Sequence, residues 1–200
     1  MLAVTGYNSR VIQELRSLLP EGEQVVAIAR KGAVMEEVRR FVLCAGLLRP
    51  LKLTQQTEEE AAETMEVNCF QPIRLCEHIL ERFGDARICV IGSESGFAWS
   101  YDGAYAAAKA ALHRYVETKR LSPDQQLVCL APSVIENTGM TLARQDVENL
   151  EAKRMANPKR RFLTPMEVAK AIHFLLYVDE GYTTGIVIRM NGGEHTIGRG

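Results

Sequence analysis

The sequence predicts an α/β domain: a doubly wound parallel sheet of about six strands with helices on both faces. Three observations carry this. Short apolar runs alternate with longer amphipathic segments along all 200 residues. The segments between runs are long enough to serve as crossover helices, which parallel neighbours require. The residues with chemistry to offer stand just after apolar runs, where such sheets bind ligands at the carboxyl ends of their strands.

The expected strands are residues 2–5, 24–29, 41–44, 87–91, 126–131 and 186–190. The first ends at Gly6. The helix at 10–19 follows, with Val11, Ile12, Leu15, Leu18 and Leu19 at helical spacing and Pro20 just beyond. Residues 31–40 are short, polar and expected to be partly helical. Residues 57–83 read as one long helix bent near 68–72, because Pro72 cannot donate within a helix. Residues 103–120 are Ala-rich and helical, 126–131 form a strand halted by Pro132, and 141–156 read as helix. Thr164 is the N-cap of a helix at 165–178 with Pro165 in its first turn. Asn191-Gly192-Gly193 closes the last strand. No repeat, low-complexity tract or linker interrupts the pattern, so one Rossmann-like domain spanning 1–200 is expected.

Composition narrows the function. The net charge is −1, which argues against a nucleic-acid protein driven by bulk positive charge. Lys159-Arg160-Arg161 reads as a solvated loop. The five cysteines (Cys44, Cys69, Cys76, Cys89 and Cys129) form no CxxC pair. Cys76 and His78 have no further ligands at zinc spacing, so no metal site is expected. Reduced, structural cysteines in a reducing compartment follow. No charged leader precedes the apolar run at 2–4, and no apolar stretch reaches the ~18 residues of a membrane span. The expectation is a cytoplasmic protein without membrane or nucleic-acid partners. His78, His113, His173 and His195 share no motif and read as surface or helix-face residues.

The sharpest signal is Tyr105-Ala106-Ala107-Ala108-Lys109. Positions four apart share one helix face. A neighbouring ammonium favours the phenolate and lowers the tyrosine pKa toward working pH. An amphipathic surface pair would show the same spacing. Just upstream, a strand runs into Gly92-Ser93-Glu94-Ser95-Gly96.

The stretch from Ile88 through Leu112 resembles the short-chain dehydrogenase/reductase family. In that family a catalytic serine follows this strand and Tyr-x-x-x-Lys opens the next helix. Leu43-Cys44-Ala45-Gly46 resembles its Asn-Asn-Ala-Gly segment, and Val67-Asn68 its active-site asparagine. Thr164-Pro165 to Ala169, Thr184-Gly185 and Asn191-Gly192-Gly193 resemble its carboxyl-terminal segment. The likeness covers nearly the whole chain. It implies Tyr105 as general acid/base, Lys109 as the group that lowers its pKa and holds the nicotinamide ribose, Ser93 as hydrogen-bond partner of the substrate oxygen, and Asn68 as anchor of a proton-relay water. Ser93 matches best because Ser-x-x-Gly follows the strand directly; Ser95 is the alternative, and the gap to Tyr105 is about one residue shorter than usual in the family.

The resemblance further implies a nicotinamide cofactor held by Gly6, Asn8, Ser9, Arg10 and Val11 of the first turn, by Cys44, Ala45 and Gly46, by Tyr105 and Lys109, and by Ile135 with Asn137 or Thr138 at the carboxamide. The turn departs from the pattern. Arg10 and Ile12 stand where the family has glycines that admit the pyrophosphate and close helix packing. Arg10 is expected to compensate by pairing with phosphate, a surface arginine being the plainer reading. Arg30, followed by Lys31, stands where NAD-preferring relatives carry an acid, which favours NADP(H) over NAD(H). The segment 30–41 is too short for the helix and strand that relatives place there, so the adenine side is expected to be open. Ser133 replaces the glycine of the family's Pro-Gly turn. Residues 141–162 are the expected substrate lid, and Phe97 and Trp99 either line a pocket for an apolar or ring-shaped substrate or pack in the core.

Hydride transfer between nicotinamide and a small-molecule carbonyl/alcohol pair is the first reading. A low-turnover binding or regulatory protein on the same fold is the alternative, motivated by the eroded turn. A lyase or epimerase ranks last, since the chain lacks room for an added substrate domain. The small face of Ala104, Ala107, Ala108 and Ala111 suits close helix packing in a homodimer or homotetramer.

Overall fold

The computed structural model describes residues 1–28, 36–98, 100–144 and 147–194. Among these, six strands form one sheet: β1 (Leu2–Thr5), β2 (Val25–Ala27), β3 (Arg40–Leu43), β4 (Arg87–Ile91), β5 (Gln126–Pro132) and β6 (Ile186–Met190). The order is β2-β1-β3-β4-β5-β6 and every neighbouring pair is parallel.

The continuous apolar runs are explained by burial on both faces. Alternate strand residues feed two cores. Ala3, Phe41, Leu43, Ile88, Val90, Leu127 and Cys129 pack with Cys76, Ile79 and Leu80 of α3 (Gln71–Arg82) and with Leu112 and Val116 of α4 (Gly103–Thr118). Leu2, Val4, Val42, Cys89, Ile91, Val128 and Leu130 face the other way. They pack with Val11, Ile12 and Leu15 of α1 (Arg10–Arg16) and with Val168, Ala169 and Ile172 of α7 (Pro165–His173). Each fully buried aliphatic side chain contributes about 1.5–3 kcal/mol relative to exposure.

The chain runs from β1 outward to β2, then crosses to the other side of β1 to form β3. That reversal is the topological switch point, and ligands of such sheets bind outside the strand ends there. β2 is the edge strand of the sheet among the described residues.

α2 (Glu58–Met65) opens with a reciprocal Thr57/Glu60 capping box and continues through a π turn, Glu66–Phe70, into α3. The interruption falls where the sequence places it: Pro72 has no N–H to give the Asn68 carbonyl four residues back. A second π turn, Phe174–Val178, extends α7. The helix expected at 141–156 is instead two: α5 (Gly139–Leu142), capped by Thr138, and α6 (Val147–Ala156). α1 stops at Arg16, short of 19. β5 runs through Pro132, whose missing donor is harmless because the adjoining bond is made by Ser133 N to the Met190 carbonyl, at 3.0 Å. Lys31, Trp99 and His195 lie outside the described residues. No helix among the described residues is long and apolar enough to cross a membrane.

Candidate active site at the strand ends

The first turn is built around Gly6. Its φ is +66°, and a Cβ there would lie 2.9 Å from the Cys44 carbonyl carbon and 3.1 Å from Ala45 N. Only glycine meets both conditions. Thr5 Oγ1 accepts hydrogen bonds from Cys44 N (3.0 Å) and Ala45 N (3.1 Å), tying the two loops of the switch point together. Ser9 caps α1 by accepting from Ile12 N, and its hydroxyl lies 3.6 Å from Cys44 Sγ. Burial raises the Cys44 thiol pKa, opposed by the Ser9 contact and by Lys109. Asn8 accepts from Gln13 Nε2 through its backbone carbonyl, and Arg10 reaches Gln13 Oε1 at 3.3 Å on the exposed surface. Val11 and Ile12 turn their side chains into the core. Ile12 therefore fills the space a glycine would leave open. Arg30 lies outside the described residues.

Ser93, Tyr105 and Lys109 come together at the end of β4. Ser93 Oγ accepts from Ser95 N at 3.2 Å, starting a short 3-10 turn, and Ser93 lies beside Tyr105, whose hydroxyl pKa it lowers. Ser93, not Ser95, thus meets the tyrosine; Ser95 instead lines an open groove with Gly96, Phe97 and the Ala106/Ala107/Ala110 face of α4. Tyr105 is held by its helix cap: Asp102 Oδ1 accepts from Tyr105 N at 3.0 Å. The Lys109 ammonium lies 5.7 Å from the Tyr105 ring centre and donates to the Ile91 carbonyl at 2.8 Å. Burial pushes the Tyr105 hydroxyl up to about 12, with Ser93 opposing it. Burial brings Lys109 down to about 8. The lowering of Tyr105 expected from Lys109 is not found: desolvation sets the direction, Ser93 alone opposes it, and the ammonium is turned to a backbone carbonyl.

Asn68 is fully buried in the π turn. Its amide donates to the carbonyls of Leu47 (2.7 Å) and Thr64 (2.9 Å) and accepts from Leu47 N (3.1 Å). It therefore clamps the loop after β3, and its Oδ1 would be 3.2 Å from a Cβ on Gly46. Met140 of α5 also reaches over Gly46, its Cε 2.8 Å from that position. Ile135 stands beyond β5, where its carbonyl accepts the Thr141 and Thr138 hydroxyls at 2.6 and 3.4 Å. The Thr138 hydroxyl caps α5, so it is already engaged. Ala45 is exposed.

The donor chemistry fits a nicotinamide dinucleotide at its ribose end. A lysine ammonium has three N–H bonds, and among the described residues one is used, on Ile91, leaving two for ligand hydroxyls. On the pyrophosphate side the polar side chains at hand are Ser9 and Arg10.

Sequence reasoning missed a second tier. His113, expected on a helix surface, is 3% exposed and sits under the Ser93 loop. Glu94 is buried and paired with Arg189 and with Asn191 Nδ2 (3.2 Å). Asp102, besides capping α4, accepts from Arg49 N and Gln56 Nε2 at 3.1 and 3.0 Å. An Asp immediately before an Ala-rich helix was a readable N-cap signal; the burial of Glu94 and His113 was not readable from local spacing. Ala104 and Ala108 face the core, so the exposed small face of α4 is Ala106, Ala107, Ala110 and Ala111.

The fold and the Ser–Tyr–Lys cluster define a doubly wound, dinucleotide-type α/β domain with its polar set at the strand ends. The family model described as enoyl-(acyl carrier protein) reductase matches residues 20–195. Acetoacetyl-CoA reductase of Allochromatium vinosum is 34% identical over 76% of this chain and 64% of its own length, so the chain spans under two thirds of that relative. A 3-oxoacyl-(acyl-carrier-protein) reductase of Mycobacterium bovis is 30% identical over 84% of this chain and 71% of its own. The crystal structure of a short-chain dehydrogenase/reductase from Brucella melitensis superposes with a TM-score of 0.82 at 21% identity, covering 97% of this chain and 96% of that one. The chain belongs to the short-chain dehydrogenase/reductase family, and the relatives named here are reductases.

Proposed function

We propose that this chain is an NADP(H)-dependent carbonyl reductase working at the Ser93–Tyr105–Lys109 cluster. The observation that carries the reading is the meeting of Ser93 and Tyr105 at the end of β4, with a buried ammonium one helical turn away. NADPH, when bound, supplies the hydride to the carbonyl carbon. Ser93 holds the carbonyl oxygen and Tyr105 gives it the phenolic proton, so the product is the alcohol. Lys109 would hold ribose hydroxyls with its remaining N–H bonds, and its positive charge stabilises the phenolate left on Tyr105 as the proton leaves. Asn68 keeps the 46–47 loop in place and anchors the water that reprotonates the site. Gly6, Asn8, Ser9, Arg10 and Val11 meet the pyrophosphate, with Arg10 replacing missing glycine amides. Cys44, Ala45 and Gly46 line the adenosine side, and the Ile135 backbone with Thr138 receives the carboxamide.

The relatives' names support 3-oxoacyl thioesters as the first substrates to try. Arg30 supports NADP(H) over NAD(H) through its charge on a 2′-phosphate. A single cytoplasmic domain, 1–200, assembled as a homodimer or homotetramer through α4, completes the reading.

The test is titration of NADPH and NADH by fluorescence against wild type and Arg30→Ala. NADPH is expected to bind the wild type more tightly, and the variant to lose about ten- to hundred-fold for NADPH alone. Binding of neither nucleotide would overturn the proposal and favour the low-turnover binding protein.

A further inference from the structure

The loop Gly92-Ser93-Glu94-Ser95-Gly96 is wrapped around one side chain. His113, two turns of α4 below Tyr105, lies beneath it and accepts the Ser93 backbone N–H on Nε2 at 3.3 Å. A Cβ on Gly92 would stand 2.4 Å from Nε2, and one on Gly96 2.5 Å from Cε1 and 2.7 Å from Nδ1. The two glycines that bracket the serine are thus the two places where the imidazole leaves no room for a side chain. Phe97 closes the loop over the ring, with centroids 4.6 Å apart, and the Arg189 guanidinium covers Phe97 at 4.5 Å while pairing with Glu94.

We infer that His113 is a positioning residue: its neutral imidazole, inserted between Gly92 and Gly96, fixes the Ser93 main chain so that the Ser93 hydroxyl faces Tyr105. This rests on the proposed reductase reading for its kinetic consequence, but not for its geometry. The ring must be neutral, with its proton on Nδ1, for Nε2 to accept. Its surroundings enforce that state. Burial, and then Lys109, take its pKa down to about 4; Glu94 opposes this and Arg189 reinforces it. Nδ1 is buried and has no hydrogen-bond partner among the described residues. Such a site tolerates an aromatic ring for packing but offers the Ser93 N–H nothing else to bond. Losing the acceptor leaves a buried donor unsatisfied at the one residue whose hydroxyl must be placed within hydrogen-bond tolerance.

The experiment compares wild type, His113→Phe and His113→Gln. Phenylalanine keeps the ring and the Phe97 contact without the acceptor; glutamine places an amide group near Nε2. With acetoacetyl-CoA and NADPH as probes, His113→Phe is expected to lose about ten- to hundred-fold in kcat. Its KM and its NADPH affinity are expected to stay near wild type, and His113→Gln to recover most of the loss. Equal kcat in wild type and His113→Phe would overturn the inference, as would loss in both variants through a lower melting temperature alone. A second readout stands apart from turnover: imidazole nitrogen NMR of the wild-type protein. It is expected to show His113 bare at Nε2 and protonated at Nδ1 at pH 7, with the Ser93 amide coupled to Nε2. A ring protonated at Nε2 would refute the arrangement. A wild type that binds and reduces nothing, yet shows this tautomer and coupling, would sink the reductase reading and leave the His113 placement standing.

Discussion

Removing the Asn68 side chain tests how the turn between β3 and the long helix is held. Asn68→Ala deletes three hydrogen bonds, to Leu47 O (2.7 Å), Thr64 O (2.9 Å) and Leu47 N (3.1 Å), at a fully buried position. At about 1 kcal/mol net for each bond, the loss is about 3 kcal/mol. For a chain of this size each kcal/mol moves the melting temperature by about 2–4 °C, so a fall of about 6–12 °C is expected. Asn68→Asp is more informative. It keeps an acceptor for Leu47 N but points a second oxygen at two carbonyls, so at pH 7 it should lose at least as much. It should recover partly on acidification, when a protonated acid can donate to one of them. Differential scanning calorimetry of the three proteins checks this. An alanine variant melting within about 2 °C of wild type would show that the clamp does not hold the loop as described.

Three further outcomes follow from the same geometry. Gly6→Ala combines a left-handed φ of +66° with a Cβ 2.9 Å from a backbone carbon, whereas Gly22→Ala has a φ of +82° and nothing within 4 Å. The first should therefore exceed the second, whose cost is the ~1–2 kcal/mol of φ strain alone, in urea unfolding; equal losses would contradict the close approach at Cys44. His113 titrates at about 4 in the folded chain instead of its ordinary 6.5. The unfolded chain then takes up the proton first as pH falls, so stability should drop between pH 6.5 and 4 and level off below. The drop is at most about 3 kcal/mol, and His113→Gln should flatten it. Glu167 is held down to about 2 by Arg161; its contribution, present above its ordinary 4.5, should fade only lower, as pH falls from 4.5 through 2. Chemical unfolding from about pH 1.5 to 8 separates the two windows.

Much of the sheet was readable because parallel strands buried on both faces leave unbroken apolar runs, and each run found here coincides with a strand within a residue or two. The helix interruption was readable from Pro72, because a missing N–H acts locally. The split of 141–156 was not: its charged, weakly patterned residues suit a surface helix equally well, and the Thr138 cap that starts α5 lies just outside the segment. In the site, Tyr105 and Lys109 announced themselves through spacing on one helix. Ser93 was separated from Ser95 only in three dimensions, by which hydroxyl reaches Tyr105. Arg30, the residue behind the proposed NADP(H) preference, lies outside the described residues. Glu94, Arg189 and His113 join segments far apart in the chain, and no local pattern marks a glutamate or a histidine as buried. The raised Tyr105 pKa was equally illegible, since spacing reports the nearby ammonium but not the desolvation that raises the hydroxyl.

The most direct test of the central claim is steady-state reduction of acetoacetyl-CoA by NADPH in wild type and Tyr105→Phe, with NADPH affinity measured on both. Wild-type turnover that falls by about 10²–10⁴-fold in the variant, at unchanged NADPH affinity, is the expected result. Turnover in Tyr105→Phe within about tenfold of wild type, less than general acid–base catalysis supplies, would show that the phenol is not the proton donor and that the chemistry lies elsewhere on the chain.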